Sequence, residues 1–166
     1  MDRAGLTQQL EALHPDSFGW AMACCDWRRE EAEDVLHDVY VMVLEGNARF
    51  GGRSTLRTWI FGVIRRTAAS RRRREWLHAV LRLQVGRPEA PPTPDENAVA
   101  QDRLARTRDA MCRLSARQRE VLHLVFYHET TIEEAATIMK VSTGSARTHY
   151  HRGKVRMASL LSEDRP

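Results

Sequence analysis

The chain has 166 residues, 42% of them hydrophobic, with 26 Lys and Arg against 22 Asp and Glu. No run of about 18 apolar residues exists, which excludes a membrane-spanning helix, and the N-terminus lacks the apolar core of a signal peptide. We therefore predict a cytoplasmic protein that does not insert into membranes. The three cysteines, Cys24, Cys25 and Cys112, form no C-x-x-C pair and are interpreted as small buried thiols rather than metal ligands or a disulfide scaffold.

Charge is distributed unevenly along the chain. Residues 1–60 carry 6 basic and 10 acidic residues, whereas residues 61–87 carry 8 basic residues and one acidic residue. Blocks of opposite charge indicate separate surfaces for separate partners rather than a uniform basic coat.

The segment 33–44 (EDVLHDVYVMVL) has apolar residues at helical spacing and predicts a helix. Its apolar face is wider than a surface helix needs. Two explanations stay open: a central core helix, or a helix that shares an apolar edge with a partner protein. A loop with three glycines and an asparagine follows over residues 45–54, and Ser54 or Thr55 is predicted to start the next helix.

That next helix, residues 55 to about 74, has two faces with different compositions. Its apolar stripe, spaced at i, i+3, i+4, i+7, i+8 and i+12, consists of Leu56, Trp59, Ile60, Val63, Ile64 and Ala68. Arg57, Phe61, Arg65, Ala69 and Arg72 are predicted to lie on the opposite face. The helix ends in RRTAASRRRR, which is either a solvated basic end or, with the interleaved aromatic, a nucleic-acid surface that combines base stacking with phosphate contacts.

Four of the six prolines lie in residues 88–94 (PEAPPTP), which predicts an extended linker. Leu, Ala, Arg and Glu are abundant on both sides, and strand-like alternation is absent. We predict an all-α fold of two small helical domains, residues 1–85 and 101–166, joined by a flexible Pro-rich linker over residues 86–100.

The second domain has the pattern of a helix-turn-helix. Ser115 with Gln118, and Thr131 with Glu134, have capping-box spacing, which predicts helices over Ala116–Phe126 and Ile132–Met139. A short turn then leads into the segment VSTGSARTHYHRGKVR, where Ser142 can cap a helix. In a helix-turn-helix, this last helix enters the major groove of DNA.

One face of this last helix contains donors and cations but no acid, which is unusual for a helix that is only solvated. The acid-free face consists of Ser145, Thr148, His149, Arg152 and Arg156. The opposite stripe consists of Ala146, Tyr150, Gly153 and Met157. DNA is the negative partner that this face fits, and a plain three-helix bundle with a basic outer face is the alternative.

Three segments in this order resemble the extracytoplasmic-function sigma factors of bacterial RNA polymerase. EAEDVLHDVYVMVL is similar to the polymerase-binding helix of that family. The promoter-melting loop and helix of the family resemble the segment RFGGRSTLRTWIFGVIRRTAASRRRR. Its helix-turn-helix domain is similar to the segment LSARQREVLHLVFYHETTIEEAATIMKVSTGSARTHYHRGKVRM.

The resemblance implies a sigma factor without enzymatic activity or cofactor. It would bind core RNA polymerase and promoter DNA, help to melt the promoter, and be held by an anti-sigma factor. The polymerase-binding residues would be Glu33, Asp34, Asp38 and Val39. The residues at the minus-ten element and the melted junction would be Asn47, Arg53, Ser54, Arg57, Phe61, Arg65 and Arg72.

At the upstream minus-thirty-five element, the resemblance implies two sets of contacts. Those to bases would come from Ser145, Thr148, His149 and Arg152. Those to phosphates would come from Arg147, His151, Lys154 and Arg156. The competing hypothesis is a helix-turn-helix regulator that never binds polymerase; an enzyme is disfavoured because no nucleophile elbow, phosphate loop or metal-ligand spacing occurs.

Overall fold

The structure, a computed structural model, describes residues 3–82 and 98–163. Within these ranges every regular element is a helix and there is no strand. The helices are α1 (Arg3–Ala12), α2 (His14–Cys24), α3 (Arg29–Leu44), α4 (Leu56–Arg82), α5 (Ala98–Cys112), α6 (Ala116–Phe126), α7 (Ile132–Met139) and α8 (Thr143–Glu163). The chain divides into two compact units, Met1–Ala90 and Pro91–Pro166. The predicted all-α fold with two helical domains is confirmed.

The first unit is a bundle in which α2, α3 and α4 pack against one another and α1 packs on α2. Its centre is formed by fully buried side chains from all three helices, namely Trp20, Val35, Val39, Ile60, Phe61 and Ile64. A proline near the start of α2 is compatible with the first helical turn, because the amide it lacks would have no partner inside the helix. α4 begins after Thr55, whose hydroxyl accepts a hydrogen bond from the amide of Thr58 at 3.1 Å.

α4 is longer than its sequence pattern predicted. We expected the helix to end near Arg74, but it continues to Arg82. The added segment, EWLHAVLR, contains no glycine or proline and is rich in good helix formers, so nothing in it stops the helix.

The second unit is built around α8, which packs against α5, α6 and α7. Both predicted capping boxes are present, at Ser115 with Gln118 and at Thr131 with Glu134. The bounds of α6 and α7 are those predicted. The turn into α8 passes through Lys140, which has a left-handed backbone with φ of 53°. Ser142 then accepts from the amide of Ser145 at 3.1 Å, as the capping prediction required.

The predicted linker of residues 86–100 lies mostly outside the described residues. Ala98 to Ala100, which we placed in the linker, belong to the first turn of α5. The mobility predicted for residues 86–97 and the exact domain bounds stay predictions. In the described ranges, no helix has the length and apolar composition needed to cross a membrane.

Candidate nucleic-acid and polymerase interfaces

The acid-free face of α8 is exposed, as its helical spacing predicted. Ala146 and Gly153 are buried on the opposite side, with Tyr150 and Met157 half-buried beside them. Packing of this stripe onto α6 is close, because a Cβ atom built at Gly153 would lie 3.2 Å from Leu122. The packed stripe therefore turns the acid-free face outward. Ser145, Thr148, Arg152 and Arg156 are exposed on that face, and His149 is half-buried at its edge.

Two cations beside this face have intramolecular contacts. Arg147 forms an ion pair with Glu133 of α7 at 3.0 Å, although both side chains remain more than half exposed. The ammonium of Lys154 lies 4.6 Å from the centre of the Tyr150 ring. Exposed ion pairs are weak, so Arg147 can exchange its carboxylate for a phosphate at little cost. His151 is exposed on the same side.

Phe61 contradicts its sequence prediction. We expected an exposed ring on the face opposite the core, but Phe61 is 0% exposed. Its ring stacks on Trp20 at 5.9 Å between centroids, and the indole of Trp20 donates to the Phe61 carbonyl oxygen at 3.0 Å. The cause is that α4 packs against both α2 and α3, so its buried face is wider than one stripe. Phe61 cannot stack on a base from this position.

Two arginines predicted at the melted junction instead tie α4 to α2. Arg57 pairs with Asp16 at 3.1 Å, and its guanidinium lies 5.2 Å from the centre of the Phe61 ring. Arg72 donates to the carbonyl oxygen of Cys24 at 3.2 Å and lies 3.7 Å from Asp26. These guanidiniums have protein partners, whereas the sequence prediction had assigned them to DNA. Arg65, from the same predicted face, is half-buried.

An open groove of about 750 Å³ lies on the other side of α4, between that helix, the end of α3 and the following loop. The ring of Trp59 contributes to its wall and contacts Phe50 at 5.5 Å between centroids. The polar part of the wall consists of His37, Asp38, Asn47, Arg49, Arg66, Thr67, Ser70 and Arg74, and Val41, Met42 and Val63 contribute apolar surface. Asp38 is the acidic residue of this wall, and it is paired with Arg71. The groove combines one accessible aromatic with three guanidiniums, which suits an unpaired nucleotide.

Sequence reasoning assigned Asn47 to the minus-ten element and Asp38 to the polymerase contact, and both line this groove. It placed Trp59 mainly in the core, treated Arg74 only as part of the terminal basic run, and gave Arg66 no role of its own. The available signal was the spacing of 59, 66, 70 and 74 along one side of a helix, which points to a common face. Of the other predicted loop residues, Arg53 is exposed and Ser54 is half-buried with its hydroxyl donating to the Thr55 carbonyl at 3.2 Å, and neither lines the groove.

The predicted polymerase-binding residues on α3 differ in exposure. Val39 is 0% exposed and forms part of the core, so the prediction that it contacts polymerase is wrong. Asp34 and Asp38 are both bound by Arg71 of α4, at 3.0 and 2.8 Å. Glu33 pairs with Arg29 one turn earlier at 2.8 Å. The exposed apolar residue on α3 is Val41, at 38%.

The three cysteines differ in burial, and the burial of Cys25 determines its protonation state. Cys24 and Cys25 are buried, as interpreted from the sequence, but Cys112 is exposed. Burial raises the pKa of Cys25 to about 12, with the charge of Glu31 adding to the shift, so this thiol is protonated at neutral pH. Among the residues that the structure describes, no group of three or more His, Cys, Asp or Glu is placed to hold a metal ion.

The chain matches two family models in chain order, sigma-70 region 2 over residues 10–78 and sigma-70 region 4 over residues 104–157. The first covers the bundle of α2 to α4, and the second covers the helix-turn-helix. The chain thus belongs to the sigma-70 family of RNA polymerase sigma factors, which are regulatory DNA-binding proteins.

Similar proteins of known function indicate which group of sigma factors the chain belongs to. It is 28% identical over 137 residues to the ECF RNA polymerase sigma factor SigX of Bacillus subtilis, with 75% of this chain and 68% of SigX covered. It is 25% identical over 139 residues to the RNA polymerase sigma factor YlaC of the same organism, with 82% of this chain and 80% of YlaC covered. The chain is an extracytoplasmic-function sigma factor, an alternative sigma factor that directs transcription initiation by core RNA polymerase at promoter DNA.

Solved structures agree on the fold. One is the sigma factor RpoE in complex with the anti-sigma factor NepR from Bartonella quintana, with a TM-score of 0.81 at 24% identity, covering 97% of this chain and 99% of RpoE. Another is CnrH in complex with the cytosolic domain of CnrY, with a TM-score of 0.68 at 20% identity, covering 95% of this chain and 88% of CnrH.

Proposed function

We propose that the two units divide promoter recognition between the acid-free face of α8 and the groove beside α4. The α8 face recognises the upstream element. Ser145, Thr148, His149 and Arg152 contact bases, and Arg147, His151, Lys154 and Arg156 contact the flanking phosphates. The observation that carries this assignment is the exposure of a helix face with cations and donors but no carboxylate, presented by a capped turn.

Arg152 is the sharpest test of base recognition on α8. Replacing it with alanine removes one bidentate base contact and is expected to weaken upstream-element binding by about 1–3 kcal/mol. Arg156→Ala, on the same face one turn later, is the matched control and should weaken binding to all sequences alike. Binding is measured with the specific promoter and with a scrambled upstream element, after the promoter has been defined by sequencing transcripts made with core polymerase. An equal loss on both DNAs for Arg152→Ala would assign it to phosphate.

The groove beside α4 holds an unpaired base of the minus-ten element. The carrying observation is that Trp59 presents an aromatic face in an open groove whose polar residues include Arg49, Arg66 and Arg74. Unstacking a base costs a few kcal/mol, and stacking on an aromatic side chain returns about 1–3 kcal/mol of it. Trp59 therefore takes the role that the sequence had assigned to Phe61.

The test of this groove is open-complex formation by the holoenzyme. Trp59→Leu preserves an apolar contact for Phe50 but removes the stacking surface, so open complexes should decrease while upstream duplex binding is spared. A fluorescent adenine analogue at successive non-template positions reports which base enters the groove. Arg53→Gln is the control, because Arg53 lies in the loop before α4 but does not line the groove. A Trp59→Leu protein that melts promoters normally would remove the groove from the mechanism.

The exposed side of α3 docks on core polymerase. Glu33, Asp34 and Asp38 keep the polymerase-binding role predicted from the sequence, and Val41 replaces the buried Val39 in it. Val41 supplies the exposed apolar surface that a protein interface needs, beside carboxylates that Arg71 holds in position. Val41 also lines the groove beside α4, so the test measures binding to core polymerase in the absence of DNA. Val41→Lys should weaken that binding without changing stability. Normal polymerase affinity in that variant would move the interface elsewhere.

We further propose that the protein acts in the cytoplasm, has no catalytic activity of its own, and is held inactive by an anti-sigma factor. The support for the last point is that RpoE and CnrH, which share this fold, were both solved with a protein that binds them. Co-purification with the tagged protein from its native cells, followed by in vitro transcription with and without the co-purified protein, tests this. Inhibition of transcription is the expected result, and unchanged transcription refutes it.

A further inference from the structure

Ser145 and Thr148 lie next to each other on the acid-free face of α8, near the start of that helix. Both side chains are exposed, and residues three apart on a helix are neighbours on its surface. In a helix-turn-helix, the first residues of this helix are the ones that reach base edges in the major groove. The hydrogen bonds that the two hydroxyls make inside the protein therefore determine what each side chain can offer to a base.

The hydroxyl of Thr148 is bonded to its own helix. It donates to the carbonyl oxygen of Gly144 at 3.0 Å, and this bond uses the only proton that the hydroxyl has. The bond also restricts χ1, because a helical threonine selects its rotamer by such a contact with the preceding turn. The group of Thr148 that has no role inside the helix is its methyl.

The hydroxyl of Ser145 is held in the opposite sense. Ser142 accepts from the amide of Ser145 at 3.1 Å and donates its own proton to the Ser145 hydroxyl at 2.9 Å. The oxygen of Ser145 thus receives a hydrogen bond, and its proton is directed to no acceptor in the part of the chain that the structure describes. Ser145 is a donor for a base.

A donor beside a methyl matches one base. In the major groove, thymine presents the O4 acceptor and the C5 methyl on the same edge, whereas guanine and adenine present acceptors without a methyl. We propose that Ser145 and Thr148 select a thymine in the upstream element. Ser145 donates to O4, and the methyl of Thr148 packs against the methyl of the base. This assignment rests on the proposed role of α8 in upstream recognition and adds the identity of one base to it.

The experiment measures binding of the holoenzyme to the promoter that transcript sequencing defines. Each thymine of the upstream element, on either strand, is replaced in turn by deoxyuridine, which keeps the base pairing and lacks the C5 methyl. One replacement should weaken binding about fourfold, which corresponds to about 0.8 kcal/mol, the contribution of one buried apolar carbon. At the same position, 5-methylcytosine opposite guanine keeps the methyl and removes the acceptor, and should weaken binding at least about fivefold.

Variants assign the two contacts to their residues. Thr148→Ser removes the methyl and keeps the hydroxyl, so it should bind about fourfold more weakly and no longer distinguish thymine from deoxyuridine. Thr148→Val keeps a methyl and should still distinguish them, and Ser145→Ala should lose the preference for thymine over 5-methylcytosine. Thr137→Ser is the matched control, because Thr137 is exposed on α7 and its hydroxyl makes the same kind of bond, to the Glu133 carbonyl at 2.9 Å. It should bind like the unchanged protein.

Three results would overturn the proposal. An upstream element in which no thymine responds to deoxyuridine refutes thymine selection. A thymine–deoxyuridine difference that persists in Thr148→Ser assigns the methyl contact to another residue. Weaker binding by Thr148→Val with normal binding by Thr148→Ser would show that the hydroxyl is the contact, accepting from the amine of adenine or cytosine. The role of α8 itself fails separately: Arg152→Ala would then bind like the unchanged protein, whereas an error in the base alone leaves the Arg152→Ala defect in place.

Discussion

Phe61→Ala separates a packing role for this residue from a role in promoter melting. The ring is fully buried against Trp20 and beneath the guanidinium of Arg57. Removing a buried phenylalanine costs about 3–5 kcal/mol, of which about 0.5–1.5 kcal/mol belongs to the aromatic pair and the rest to lost burial and the cavity. The hydrogen bond from Trp20 is retained in the variant, because its acceptor is the backbone carbonyl of residue 61.

A loss of that size is a large fraction of the stability of a small domain. Domains are stable by about 5–15 kcal/mol, and 1 kcal/mol shifts the midpoint of a 60–100-residue domain by about 4–8 °C. The first unit should therefore melt at least about 12 °C earlier in Phe61→Ala. Phe61→Leu, which preserves most of the apolar volume, should lose less than about 1.5 kcal/mol if the core repacks.

Tryptophan fluorescence can measure the stability of the first unit, because of where the tryptophans lie. All four, Trp20, Trp27, Trp59 and Trp76, belong to the first unit, so tryptophan fluorescence during thermal or urea unfolding reports that unit alone. A pre-melted promoter should not rescue Phe61→Ala at a temperature where the unit is unfolded. If Phe61→Ala unfolds at the same midpoint as the unchanged protein yet forms fewer open complexes, the ring is accessible to DNA and its assignment to the core is refuted.

Two further predictions concern packing in the second unit and thiol reactivity. Gly153→Ala forces a Cβ atom to within 3.2 Å of side-chain carbons on α6, so it should gain none of the roughly 1 kcal/mol that alanine contributes in an open helix position. Gly144→Ala in the same helix has only one side-chain atom within 4.0 Å and should not be destabilising; urea unfolding by circular dichroism compares the two, and a clearly more stable Gly153→Ala contradicts the close contact. Because burial raises the pKa of Cys25 to about 12, iodoacetamide at pH 8 should modify the exposed Cys112 and spare Cys25, and rapid modification of Cys25 in the folded protein would show that its environment opens.

The helix-turn-helix could be predicted from the sequence because its signals are local. Both capping boxes place a hydroxyl and an acceptor three residues apart, so their effect is complete within one turn. The orientation of α8 was equally predictable, since Ala146 and Gly153 define a stripe that only close packing explains. These features depend on neighbours in sequence, and the fold does not override them.

The faces of α4 could not be predicted in the same way. A single apolar stripe was sufficient to predict the helix, but α4 contacts two helices, and the second contact buries Phe61. The groove requires the loop after α3 to lie against Trp59, which is a tertiary contact between Phe50 and that ring. Val39 was assigned to the polymerase contact for a related reason. The apolar face of α3 is unusually wide, and the sequence does not show which residues of that face are buried in the bundle.

The basic run at the end of α4 shows why charge counted along a sequence overestimates charge available to DNA. Of six arginines in residues 65–74, Arg71 pairs with Asp34 and Asp38 of α3. Arg72 donates to the Cys24 carbonyl at the end of α2 and lies near Asp26 in the following turn, and Arg57 pairs with Asp16 of α2 near the start of the helix. These contacts fix the long helix on an acidic bundle. Only arginines that the bundle does not bind can release counterions from DNA, at about 0.9 in the slope of log affinity against log salt for each contact. The same run therefore has two parts: Arg71 and Arg72 anchor α4 to the bundle, and Arg66 and Arg74 line the groove that we propose for the unpaired base.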